Sequence, residues 1–308
     1  MVVVYIMAAI LLLLVVSGAY VFIVASVRRK EFPWLDKEKL EKTPFGRFYD
    51  RITEADRWLK EKDAKSVYIT SADGLKLHGV WVPAENPKGT VLLLHGYSST
   101  KLLDFGAAMP YYHESGFNLL IPDQRSHGKS EGRYITFGVR ECGDVLRWVD
   151  FHNQNYGEQK IILCGMSMGA ATVMYAAGEE LPDNVKGVIA DCGYTSPKEI
   201  ISTVFKRTVH FPPGPVMWFA DIFARVFGGF SFYGKDTRKT LKNNRLPILI
   251  LHGTKDSFVP YEMSVESHEA CAGPKRLLLV EGADHCVSIL VNRKLYTETV
   301  EDFMLECL

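Results

Sequence analysis

Lys160-Ile161-Ile162-Leu163-Cys164-Gly165-Met166-Ser167-Met168-Gly169-Ala170-Ala171 joins a short apolar run to an alanine-rich stretch through Gly-x-Ser-x-Gly. An apolar run of this length bounded by glycine reads as a buried strand, and the stretch over 170–179 reads as a helix. A serine held in the sharp turn between them projects its hydroxyl only if the residues two before and two after it lack side chains. Gly165 and Gly169 meet that condition. The turn therefore reads as a nucleophile elbow with Ser167 as the candidate nucleophile.

Working outward, the same kind of apolar run recurs at 90–94, 118–121, 187–190, 247–251 and 276–280. Helical patterns at 102–115, 139–153, 170–179, 261–271 and 288–306 separate most of them. Strands alternating with helices predict a mostly parallel sheet covered on both faces. The first two strands, 66–70 and 75–82, flank Ala72-Asp73-Gly74 and predict a hairpin instead. Eight strands are expected in all. One interval breaks the rhythm: more than 50 residues separate Ala190 from Pro247, and the middle is dense in large apolar side chains. A connection of that length inside an α/β domain is usually functional. It reads as a helical cap inserted at about 197–245, in which Phe205, Phe211, Trp218, Phe219 and Phe223 either line a substrate site or form the cap's own core.

A nucleophilic serine needs a base, and the base needs an acid to orient it. His285 follows the strand 276–280 through Glu281-Gly282-Ala283-Asp284, and Asp256 follows 247–251 through His252-Gly253-Thr254-Lys255. Both loops leave the carboxyl edge of the sheet, where Ser167 also sits. Asp191 and Asp284 are the rival acids. Leu92-Leu93-Leu94-His95-Gly96-Tyr97-Ser98 ends another strand at that edge. The backbone N–H groups of Tyr97 and Met168 are the candidates to hold a developing oxyanion. His95 is expected to be a structural turn residue.

The 36 basic and 36 acidic residues of this 308-residue chain balance, which argues against a nucleic-acid binder, and 47% hydrophobic content argues against disorder. All of those charges lie beyond Val27. Residues 2–27 are apolar; as a helix they would extend ~39 Å, enough to cross a ~30 Å hydrocarbon layer with some tilt. A cleaved signal peptide would want a basic segment before a shorter apolar core. Residues 1–27 are thus expected to be a transmembrane anchor. Arg28, Arg29 and Lys30 abut it, so the positive-inside rule places the following domain in the cytoplasm. Residues 28–64 read as a juxtamembrane connector with an amphipathic helix around 52–62, packed on the domain of residues 65–308.

Together the elbow, the His-Gly turn, Asp256 and His285 resemble the α/β-hydrolase superfamily over roughly residues 65–308. Tyr68-Ile69-Thr70-Ser71-Ala72-Asp73-Gly74-Leu75-Lys76-Leu77-His78-Gly79 and Asp123-Gln124-Arg125-Ser126-His127-Gly128-Lys129-Ser130 are similar to a membrane-associated serine-hydrolase branch. That branch neighbours cinnamoyl-type esterases and prolyl-oligopeptidase-like peptidases. The resemblance implies the α/β-hydrolase fold, the Ser167–Asp256–His285 assignment with Tyr97 and Met168 as oxyanion donors, and a structural role for the 123–130 loop. With Ser167 as nucleophile and His285 as base, the expected chemistry is cleavage of carboxylic esters, acyl or aryl, through an acyl-enzyme. A peptidase on short peptides, an acyltransferase, and a silent membrane-tethered binding protein are the alternatives.

No cofactor and no metal site are expected. Gly128-Lys129-Ser130 lacks the first glycine of a phosphate loop, because Asp123 stands there. Neither H-E-x-x-H nor C-x-x-C occurs, and Cys286 reads as a small buried side chain. The expected partners are a small ester or acyl substrate and the bilayer.

Overall fold

The computed structural model describes residues 1–30, 32–42, 46–209 and 212–308. Eight strands form one sheet: β1 (Lys65–Thr70), β2 (Lys76–Val82), β3 (Gly89–Leu94), β4 (Phe117–Pro122), β5 (Ile161–Met166), β6 (Val185–Asp191), β7 (Ile248–Gly253) and β8 (Lys275–Val280). Their order is β1-β2-β4-β3-β5-β6-β7-β8. The β1–β2 and β2–β4 pairs are antiparallel and the others parallel. The expected hairpin closes with Thr70 opposite Lys76.

Alternation along each strand sends neighbouring side chains to opposite faces. Leu92, Leu94 and Leu163 pack with Trp148 and Tyr175 on one side. Val91, Leu93, Ile162 and Cys164 pack with Tyr112 and Phe303 on the other. Burial on both faces is why these strands read as continuous apolar runs. Two expected helices are each broken in two. The first becomes Lys101–Phe105 and Ala108–Glu114. The last becomes Ser288–Val291 and Arg293–Cys307, because the side chain of Asn292 accepts the Leu295 N–H and starts a new helix.

The parallel register aligns the strand ends that matter. Leu94 lies opposite Gly165, Met166 opposite Asp191, Asp191 opposite Leu251, and Gly253 opposite Val280. The loops after β3, β5, β6, β7 and β8 therefore leave from one edge.

The interval between β6 and β7 folds into the helices Pro197–Val209 and Gly214–Phe223, a π-helical turn Ala224–Gly228 and short pieces up to Asn243. The N-terminal helix Val2–Ser26 has a mean hydropathy of 2.8 across its most apolar window and exposes most of its length. Its last turns instead pack on Gly214–Phe223, burying Gly18, Val21, Phe22 and Ser26. A Cβ on Gly18 would stand 2.4 Å from the Cβ of Phe219, so glycine is what permits the approach. Beyond the helix, Val27 bridges to Tyr134 and the Arg28 guanidinium donates to the carbonyls of Gly128 and Ser130, both at 2.6 Å. The amphipathic connector helix spans Tyr49–Glu61 and buries Ile52 and Ala55 against Leu103 and Phe105.

Candidate active site

Ser167 caps the helix Met168–Ala176 with φ 55° and ψ −114°, a left-handed backbone that non-glycine residues rarely adopt. The turn is tight enough that a Cβ on Gly165 would lie 2.1 Å from the Gly169 carbonyl oxygen, and one on Gly169 1.8 Å from that of Leu94. No side chain fits either place. The Ser167 N–H donates to the Asp191 carbonyl at 2.8 Å, which ties the strained turn to β6.

The loops after β7 and β8 deliver the other two side chains to this hydroxyl. His285 Nε2 is 3.0 Å from Ser167 Oγ, and His285 Nδ1 is 2.6 Å from Asp256 Oδ2. Asp256 Oδ1 accepts the N–H groups of Phe258 and Val259, both at 2.8 Å. His252 Nε2 lies 3.1 Å from Asp256 Oδ2, and its Nδ1 is 2.6 Å from Ser264 Oγ. The Asp256 side chain is fully buried. Burial alone would raise its pKa, but the hydrogen bonds of His252 and His285 outweigh it and hold the carboxyl well below the usual 3.8. For His285 burial opposes the charged ring, yet the facing Cys192 sulfur and the Asp256 carboxylate hold its pKa well above 6.5.

The rival acids sit elsewhere. Asp284 Oδ1 accepts the N–H and hydroxyl of Ser257 and the N–H of His285, so its carboxylate faces the backbone. Asp191 is buried at the end of β6, where desolvation pushes its carboxyl up to about 7.

On the β3 side, Asp104 accepts the Gly96 N–H and the Ser99 hydroxyl, both at 2.6 Å, and so fixes the turn that carries Tyr97. Among the described residues neither Tyr97 N–H nor Met168 N–H has an acceptor. The Tyr97 ring stacks on Phe137 at 5.1 Å, and its hydroxyl donates to the Ala25 carbonyl at 2.9 Å in the N-terminal helix. His95 is buried among turn contacts, its ring bonded to the Gly96 carbonyl and the Gln124 N–H. In the 123–130 loop, Asp123 holds His78 at 2.7 Å and Arg125 clasps both oxygens of Asp144 at 2.7 Å.

Ser167 and His285 open into a cavity of about 550 Å³, whose apolar wall includes Trp34, Phe48, Tyr97 and Phe258. Of the aromatic residues expected there, Phe205, Trp218, Phe219 and Phe223 are not part of that wall. Phe205 packs against the main core, Phe219 meets Gly18, and Phe223 stacks on Phe227 at 6.1 Å. Trp218 is 58% exposed, and Phe211 lies outside the described residues. Phe205 and Phe219 thus serve packing, the second of the two roles open to them, and the connector residues Trp34 and Phe48 border the cavity instead.

Sequence reasoning assigned no role to His252, Asp104 or Cys192. The His252-Gly253 pair at the end of β7 is a visible signal, since a histidine at a strand's carboxyl end points toward this edge.

Comparison with known proteins places the site in context. A family model described as alpha/beta hydrolase fold matches residues 89–231, and one described as TAP-like protein matches 232–307. The uncharacterized protein YqkD of Bacillus subtilis is 27% identical over 249 residues, covering 80% of each chain. The uncharacterized membrane protein YNL320W of Saccharomyces cerevisiae is 23% identical over 77% of this chain and 78% of its own. Among solved structures, the Pyrococcus furiosus esterase Pf2001 superimposes with a TM-score of 0.64 at 25% identity, over 80% of this chain and 94% of that one.

Proposed function

This chain belongs to the alpha/beta hydrolases, and from that premise we propose that it is a serine hydrolase cleaving carboxylic esters through an acyl-enzyme. The observation that carries the proposal is the relay from Asp256 through His285 to Ser167, 2.6 and 3.0 Å, in the wall of a cavity. His285 Nε2 takes the Ser167 proton as Oγ attacks the ester carbonyl. The Tyr97 and Met168 N–H groups receive the oxyanion, a contribution of roughly 3–4 kcal/mol per donor in comparable sites. His285 then protonates the leaving alkoxide. A water molecule, deprotonated by the same ring, releases the acid. Asp256 fixes the tautomer and balances the imidazolium.

The raised pKa of His285 has a direct consequence. Only the neutral ring accepts the serine proton, so raising its pKa moves the loss of activity to higher pH. The acid limb of kcat/KM is expected above pH 6.5, and Cys192→Ala should move it downward by removing a group that favours the charged ring. A limb below 6.5 that Cys192→Ala leaves in place would contradict this.

The wall of Trp34, Phe48 and Phe258 supports an apolar acyl or aryl group as the part of the substrate held beside Ser167. The similarity to an esterase supports ester cleavage over peptide cleavage. A series of p-nitrophenyl esters of increasing acyl length, run beside aminoacyl-anilides, tests both. Esters should turn over at least ~100-fold faster than anilides; a preference for anilides would favour the peptidase reading instead.

We further propose that Val2–Ser26 crosses the bilayer once, with the domain on the cytoplasmic side. Arg28, Arg29 and Lys30 after the helix support that orientation. Trp218, Ile222, Val226 and Phe227 are exposed on the segment that packs beside the helix, which supports a membrane-facing surface there. The chain should stay in the membrane pellet through an alkaline carbonate wash, with its C-terminal half cut by protease only after cytoplasmic access. Extraction by carbonate would rule the span out.

A further inference from the structure

Two sulfur atoms with no part in the proposed hydrolysis lie beside the base. Cys192 follows β6 and Cys286 follows His285, and their Sγ atoms are 3.4 Å apart. The two sulfurs and a ring nitrogen of His285 all lie within 4.8 Å of one another. Both cysteines hold positive φ, 51° and 58°, which non-glycine residues adopt only when their surroundings impose it. The loops after β6 and β8 are thus bent at two points to bring the sulfurs together. Cys192 is buried, while Cys286 and His285 reach the cavity, so the group is closed behind and open in front.

This arrangement matches the demands of one kind of ligand. Zinc binds thiolate sulfur at ~2.3 Å and imidazole nitrogen at ~2.0–2.1 Å with tetrahedral angles, which sets two bound sulfurs ~3.7–3.8 Å apart. A spacing of 3.4 Å needs only a small outward movement to fit. Hard cations such as Mg²⁺ and Ca²⁺ prefer oxygen and have no reason to settle here. We propose that Cys192, Cys286 and His285 form a site for a thiophilic divalent cation of the Zn²⁺ class, and that filling it switches hydrolysis off. The fourth position faces the cavity and takes water. Each thiol that binds gives up its proton to solvent, and no electron is transferred. The imidazole nitrogen that donates to the metal must leave Ser167 or Asp256, so a metallated His285 no longer takes the serine proton. The switching rests on His285 being the base, whereas the binding does not. Neither cysteine shows paired spacing, because the sulfurs come from positions 192 and 286, joined only by the fold.

The test separates binding from switching. The full chain in detergent micelles, without added reductant or chelator, is titrated with Co²⁺ as a spectroscopic stand-in. A thiolate-to-cobalt charge-transfer band should appear with one equivalent, persist in Ser167→Ala, and be lost in Cys192→Ser and in Cys286→Ser. Ester turnover is then measured against Zn²⁺, each variant referred to its own metal-free rate. The half-inhibiting concentration should rise roughly tenfold or more in Cys286→Ser, and EDTA should restore the wild-type rate. Absence of the band in the wild-type chain, or its survival in both cysteine variants, overturns the site. A band with undiminished turnover overturns the switching alone. Should Cys192→Ser unfold, the half-exposed Cys286→Ser and Cys286→Ala decide the matter.

Discussion

Ser167→Ala is expected to lower kcat/KM for esters by ~10⁴–10⁶ while leaving the fold intact. The hydroxyl is the atom that bonds to the substrate, so no neighbour replaces it, and the surviving rate is what oxyanion donors and binding give to water attack. Ser167 Oγ makes its one side-chain hydrogen bond to His285 Nε2, among the described residues, so its loss removes little structural support. Alanine suffers the φ of 55° no more than serine does. The midpoint of thermal unfolding should therefore stay the same or rise slightly, as happens when a functional group held under strain is removed. A variant that unfolds at a much lower temperature would locate the effect in stability instead. Retention of more than ~10% of wild-type turnover would remove Ser167 from the mechanism.

Asp256→Asn is the second large effect, ~10⁴ in kcat, or about 5.4 kcal/mol of transition-state stabilisation. The substitution keeps the shape. The asparagine carbonyl oxygen at the Oδ1 place still accepts from Phe258 and Val259, while the amide at the Oδ2 place meets His285 Nδ1 as a donor. The ring must then protonate Nε2, which turns the hydrogen that should be received from Ser167 into one pointing at it. The carboxylate that favours the imidazolium is also gone. What activity survives should consequently show its acid limb at lower pH than the wild type, because one group that raises the His285 pKa has been neutralised. If only KM rises and kcat is unchanged, Asp256 holds substrate or loop and not the ring.

The parts of this site legible in the sequence share a physical origin. Ser167, Asp256 and His285 each follow a strand within a few residues. Strands β5 and β7 are fully buried, and the half-buried edge strand β8 still carries Leu277-Leu278-Leu279-Val280, so all three strands announce themselves as unbroken apolar runs. A parallel sheet puts all their carboxyl ends at one edge, so chain-local patterns suffice to bring the three side chains to one rim. The Gly165 and Gly169 requirement is local too, set by contacts of the turn with itself and with Leu94.

What the sequence hid depends on packing between distant segments. The aromatic residues of the cap have the composition of a substrate wall, yet Phe219 lies on Gly18 and Phe205 in the core. Nothing in their spacing distinguishes a ring facing a cavity from one facing a neighbouring helix. Trp34 and Phe48, which do border the cavity, sit in a charged connector with no strand or motif beside them. His252 and Asp104 act by holding Asp256 and the Gly96 turn, a service visible only once the acceptor is in place. The link from Tyr97 to the carbonyl of Ala25 joins residues 72 positions apart. Through it the apolar helix braces the loop proposed to bind the oxyanion.

The central claim is a covalent bond between Ser167 Oγ and the acyl carbon, and it is best tested by trapping that bond. The full chain is mixed with a p-nitrophenyl ester, quenched in acid during the first turnover, digested and examined by mass spectrometry. The peptide containing Ser167 should carry the mass of the acyl group, and the adduct should vanish in Ser167→Ala and accumulate when hydrolysis of the intermediate is slowed. An acyl group found on Cys286 or on any other residue, or rapid turnover with Ser167 never modified, would contradict the account.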